Sequence, residues 1–154
     1  FHAVKFNYIF LVLLLTACSL NSTQEAALNN AVINYVDAHN KGAVMEYVSI
    51  AHPKVVAYYN SLGEDEFKDK FELFSQVEGG DFIQDGTVWE IESQGKSIHA
   101  KYTFLSIGDI NGLRSSELEI IAISEDNGLS WFFVDAPDYR NEKIFDNDFR
   151  LLEL

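Results

Sequence analysis

The apolar residues of this chain change their spacing once, between about residue 80 and residue 87, and that change restricts the fold more than any other feature. Before it, the spacing is helical. Leu28, Val32, Tyr35, Val36 and His39 fall on one helix face. Ser22 with Glu25 has the spacing of a capping box, in which hydroxyl and carboxylate satisfy free amides at a helix start. Gly42 supplies the left-handed stop. Residues 43–51 carry Val44, Tyr47, Val48 and Ala51 at helical spacing, and Pro53 breaks or starts the next turn. Residues 54–60 suit either a short helix or a strand. Ser61 with Glu64 is a second capping-box candidate, ahead of a helix with Phe67, Phe71 and Phe74 on one stripe. Its outer face pairs Glu64 with Lys68 and Glu66 with Lys70, and Gly79-Gly80 ends it.

After the change the apolar residues alternate. Residues 87–93 alternate around Trp89 and Ile91, and residues 97–107 place Ile98, Ala100, Tyr102 and Phe104 on one face. Asn111-Gly112 marks a hairpin turn, residues 113–124 a third strand, Asp126-Asn127-Gly128 another turn, and residues 129–135 a fourth strand closed by Pro137. Helices followed by an antiparallel meander define an α+β fold, with N-terminal helices packed on one face of a four-stranded antiparallel sheet. The division expected is a signal over 1–17, a tether over 18–22, one domain over 23–136 and an acidic C-terminal tail over 137–154. A short helix is expected in that tail near residues 144–152.

Composition narrows the function. The 154 residues carry a formal charge of −13, which argues against nucleic acid, because phosphate-backbone binding depends on Lys and Arg. A single cysteine excludes an internal disulfide framework and a thiolate zinc cluster.

That cysteine closes an N-terminal signal. Residues 6–17 are almost entirely apolar, follow Lys5, and are too short for the ~20 residues of a membrane span. The segment Leu15-Thr16-Ala17-Cys18 resembles the lipobox of bacterial lipoproteins. The resemblance implies cleavage before Cys18, acylation of its thiol and amine, and a membrane anchor made by the lipid. Ser19, where an Asp would signal inner-membrane retention, implies the outer membrane and a periplasm-facing protein.

The element order, the segment His52-Pro53-Lys54-Val55-Val56 leading through Gly63 to the Phe67 helix, and the late strands with Trp131 and Phe133 resemble the nuclear transport factor 2-like superfamily. That superfamily forms a cone in which a curved sheet wraps a long helix, with SnoaL-like and cystatin-like relatives. The resemblance implies a pocket between helix and sheet, lined here by Tyr35, Trp89, Tyr102, Phe104, Trp131 and Phe133.

Catalytic spacing is sparse. His39 suits a helix C-terminus, where the macrodipole favours a cation; His52 reads as a turn residue, and His99 as facing outward. No metal or cofactor is expected, since the acidic turns 109–112, 126–128 and 146–148 lack the spacing of a calcium loop. The leading expectation is a noncatalytic envelope lipoprotein that binds a small apolar ligand or an envelope protein. Two alternatives stay open: an isomerase- or lyase-like enzyme using a Tyr and a buried acid, and an assembly module forming a homodimer through its sheet.

Overall fold

A computed structural model describes residues 20–72, 82–83, 87–108 and 114–154. Helix α1 (Ser22–Lys41) is followed by α2 (Val44–Ile50), α3 (Pro53–Leu62) and α4 (Glu64–Phe71). The strands are β1 (Phe82–Ile83), β2 (Thr87–Gln94), β3 (Ser97–Gly108), β4 (Arg114–Ser124) and β5 (Phe132–Asp135), and helix α5 (Ala136–Tyr139) follows. Phe74, Gly79-Gly80 and the Asn111-Gly112 turn lie outside the described residues.

The cap of α1 sits one residue earlier than Ser22. Asn21 Oδ1 accepts from the Gln24 amide at 2.8 Å, and Gln24 Oε1 accepts from the Asn21 amide at 3.0 Å. Asn is as good a cap as Ser. The tie-breaker is tertiary: Gln24 also donates to the Asn127 carbonyl at 2.9 Å, which fixes the helix start against the β4–β5 turn. Gly42 ends the helix in the left-handed region, at φ 62°, as its sequence position implies.

The ambiguous stretch after Pro53 is helical. Proline at the first helical position gives up no hydrogen bond, and His52 accepts from the Lys54 amide at 3.2 Å as the cap. The expected Ser61–Glu64 box does not form, because the Ser61 hydroxyl donates back to the Tyr58 carbonyl at 2.6 Å. The chain instead turns into α4 through Gly63 at φ 116°, a conformation that strongly favours glycine.

Strand β3 lies in the middle, antiparallel to both β2 and β4, and β5 extends β4. The two-residue β1 pairs with the far end of β3 along the same edge as β2. The sheet is open. Beside β5, Ala51 forms a parallel bridge to Phe133, and the His52 amide donates to the Phe133 carbonyl at 2.9 Å.

Helices on a four-strand antiparallel meander agree with the α+β expectation; burial on one face only does not. Ile98, Ala100, Tyr102, Phe104, Ile120, Ala122 and Phe133 meet Leu28, Val32 and Tyr35 of α1. Their neighbours Ile121, Ile123 and Val134 point the other way, onto Val55, Phe71, Tyr139, Phe145 and Leu152. The second face is therefore covered by α3, α4 and the C-terminal residues. No helix forms over 144–152. Turns there hold Ile144, Phe145 and Leu152 in the core, and the only helix of this region is the four-residue α5. Each large side chain buried in this way contributes ~1.5–3 kcal/mol.

Candidate functional site

The six aromatics expected to line a pocket have different fates. Tyr35 is fully buried, stacked on Phe133 with centroids 4.7 Å apart and 5.6 Å from Phe104. Trp131 is buried and donates its indole N–H to the Gly128 carbonyl at 3.0 Å. Tyr35, Phe104, Trp131 and Phe133 are thus packed core, with their polar ends or neighbouring space already used. The side chain of Trp89 lies outside the described residues, as do Cys18 and the signal expected over 1–17.

Tyr102 is the exception. It stacks on Phe104 at 5.7 Å and also lines an open groove of about 350 Å³ between the start of α1 and β2. Leu20, Leu28, Val88 and Ile91 give the groove apolar walls, while Glu25 and Asn29 stand on its helical side. Burial, reinforced by the Glu25 charge, pushes the Tyr102 phenol up to about 12. Its hydroxyl therefore stays protonated near neutral pH. Glu25 is exposed, so this groove does not pair a tyrosine with a buried acid.

A tyrosine and a buried acid do meet elsewhere, at a place the sequence did not indicate. Tyr59 donates to Asp138 Oδ1 at 2.8 Å, and Lys70 Nζ lies 2.6 Å from Asp138 Oδ2 and 2.7 Å from Asp135 Oδ2. The expected Lys70 pairing with Glu66 is replaced by this one, because one ammonium here meets two carboxylates out of water. Burial raises the Asp138 carboxyl above its usual range, and the two aspartates hold Lys70 protonated well above its usual range. Every group in the cluster has a partner. Its chemistry is that of a clasp joining α3, α4 and α5, rather than of a free base.

The histidines depart most from expectation. His99 does not face solvent: it is fully buried, with Nδ1 2.7 Å from the Tyr139 hydroxyl. His52 is not a simple turn residue either. It is 1% exposed, caps α3, and holds Nε2 3.2 Å from Glu125 Oε2. Phe132, Phe145 and Phe149 surround it edge-on at 5.1–6.2 Å. The alternation rule put His99 outside because it assumed one wet sheet face; the C-terminal residues make that face dry. His39 sits in the last turn of α1, as expected. Among the described residues, no group of three His, Cys, Asp or Glu side chains is placed to hold a metal ion.

Comparison with family models, with curated proteins and with solved structures finds no significant match to this chain.

Proposed function

We propose that this is a noncatalytic envelope lipoprotein whose domain binds a small, mainly apolar ligand in the groove between α1 and β2. The observation that carries the reading is the groove itself, with four aliphatic walls, one protonated tyrosine and one exposed carboxylate. About 350 Å³ lies in the usual range for small-molecule sites. The ligand that suits it has an apolar body and a hydrogen-bond-donating or cationic head that meets Glu25 and Asn29. Acylated Cys18, two residues before the groove wall at Leu20, would hold the domain at the outer membrane, facing the periplasm.

Two experiments test the two halves separately. Metabolic labelling with an alkyne fatty acid in a Gram-negative host is expected to mark the wild type and not Cys18→Ser; equal labelling removes the anchor. For the groove, a polarity-sensitive naphthylamine probe is expected to bind the purified chain. Ile91→Glu is expected to weaken the probe at least about tenfold, by placing a charge in the apolar wall. No saturable binding, or no loss in the variant, removes the ligand site.

A further inference from the structure

The residues that follow α5 help cover the outer sheet face beside two buried imidazoles, and one hydroxyl of α5 holds their C-terminal end. The Tyr139 oxygen accepts the Leu151 amide at 2.9 Å and the Leu152 amide at 3.0 Å. With both amide protons pointing at it, the hydroxyl hydrogen is directed to His99 Nδ1 at 2.7 Å. His99 is then neutral, with its proton on Nε2, and that nitrogen is buried without a hydrogen-bond partner. Phe149 packs against the same ring at 5.1 Å.

We propose that residues 141–152, beyond the Lys70–Asp138 clasp, form an acid-released strap, in which protonation of His99 at Nδ1 detaches the segment from the outer sheet face while α5 stays clasped and α1 stays packed on the inner face. The step needs only a solvent proton. Once Nδ1 carries hydrogen, it faces the Tyr139 hydrogen donor to donor. The phenol must turn away, and its oxygen cannot keep both amides and accept from the imidazolium as well. The two amides anchor the turn that holds Leu152, so losing them frees the C-terminal end of the strap.

The charged surroundings favour release. Glu92, the cross-strand partner of His99 on β2, is exposed and makes no ion pair with it, and His52 is the charged group that acts on it. Around His52 stand Glu125, half exposed at 3.2 Å, and Lys54. Glu125 offsets part of a charge on His52, whereas Nε2 of His99 has nothing comparable, which makes His99 the trigger. Tyr139 feels Arg150 from the strap and Glu90 from β2, of opposite sign. Burial and His52 push His99 down to about 4, and burial pushes His52 down despite Glu125. A released imidazole titrates at its ordinary value of about 6.5. Above that value neither state gains from protons. Between 6.5 and about 4 the released state binds a proton that the docked state refuses, so docking weakens as pH falls. His99 alone shifts the opening equilibrium by roughly 300-fold across that window.

Native-state hydrogen exchange on the full chain at pH 7, 5.5 and 4.2, corrected for intrinsic rates, reads the opening directly. Protection of the Leu151 and Leu152 amides is expected to fall by about two orders of magnitude, with the Ala122 amide of β4 unchanged. Joint loss at all three amides, or no loss at Leu151 and Leu152, overturns the proposal. His99→Phe is expected to flatten the response; an unflattened response overturns it. Should that variant not fold, the His99 imidazole proton shifts of the wild type decide. A midpoint below 5 that coincides with strap opening supports the trigger, and a midpoint near 6.5 overturns it.

Discussion

Lys70 Nζ stands 2.6 Å from Asp138 Oδ2, and this contact ties the last turn of α4 to the helix that follows the sheet. The two side chains are 18% and 8% exposed, so the pair is largely shielded from water. Removing one member of such a pair costs more than the pair contributes, because the remaining charge stays buried.

Lys70→Met is therefore expected to destabilise the fold by about 3 kcal/mol, with a fall in Tm on the order of 10 °C. Adding Asp138→Asn should restore part of the loss, because it removes the stranded charge. The alkaline response carried by Lys70 should also disappear, and the response in the carboxylate range should grow. In the wild type, the raised Lys70 pKa means its contribution is complete below about 10.5 and disappears as pH rises through the folded value. In Lys70→Met, Asp138 has lost its cation, so acidification through the carboxylate range should stabilise the variant. Thermal melts from pH 4 to 11.5 measure both effects.

Gly128 and Gly95 both have positive φ, 83° and 61°, yet alanine should behave differently at the two sites. At Gly95 an added Cβ meets nothing within 4 Å, leaving only backbone strain of about 1 kcal/mol. At Gly128 it would lie 2.6 Å from Gln24 Cγ, the side chain that caps α1 and binds Asn127. Gly128→Ala should cost about 2–3 kcal/mol, the strain plus a lost cap. Equal costs in denaturant titrations would disprove the Gln24 contact.

Asp126 organises the β4–β5 turn by accepting from the Ser130 amide at 2.9 Å, the Ser124 hydroxyl at 2.8 Å and the Ser130 hydroxyl. These bonds pull its carboxyl down to about 2. Its contribution is then present above about 3.8 and lost as pH falls towards 2. Solvent screening keeps the charge-dependent part below about 1 kcal/mol. Asp126→Ala should cost about 1–2 kcal/mol at pH 7, and Asp126→Asn less, because the amide oxygen still accepts. Denaturant melts of both variants at pH 7 test the ranking.

Tyr35 separates packing from binding. Tyr35→Leu leaves a void between α1 and Phe133 and is expected to cost about 2–4 kcal/mol. It should leave the affinity of a groove-bound probe within about twofold, since the groove is lined by Tyr102 and Ile91 rather than by Tyr35. A large loss of affinity with unchanged stability would return Tyr35 to the site. Isothermal titration beside a thermal melt resolves the two.

Much of the fold is legible in local spacing. The change of period locates helices and strands, and Gly42 marks a helix end, because those signals lie within a few residues of the structure they specify. The continuous apolar run Ile120-Ile121-Ala122-Ile123 also carried a signal for burial on both sheet faces. An alternating reading of Ile98, Ala100, Tyr102 and Phe104 on the neighbouring strand masked it. The candidate groove was less legible. Tyr102 was visible as an inward aromatic, but Glu25 and Val88 join it only because α1 lies across β2.

The sequence by itself determined the α+β character, the acidity and the main turns, since each follows from backbone preference or composition within a short window. Tertiary structure alone decided the partners of the polar side chains. Lys70 left Glu66 for two aspartates about sixty-five residues away in sequence, and Gln24 displaced Glu25 at the cap by reaching Asn127. His99 became a buried base because a late segment dried the face it occupies. Such choices depend on which groups lose water together, and only the assembled fold sets that.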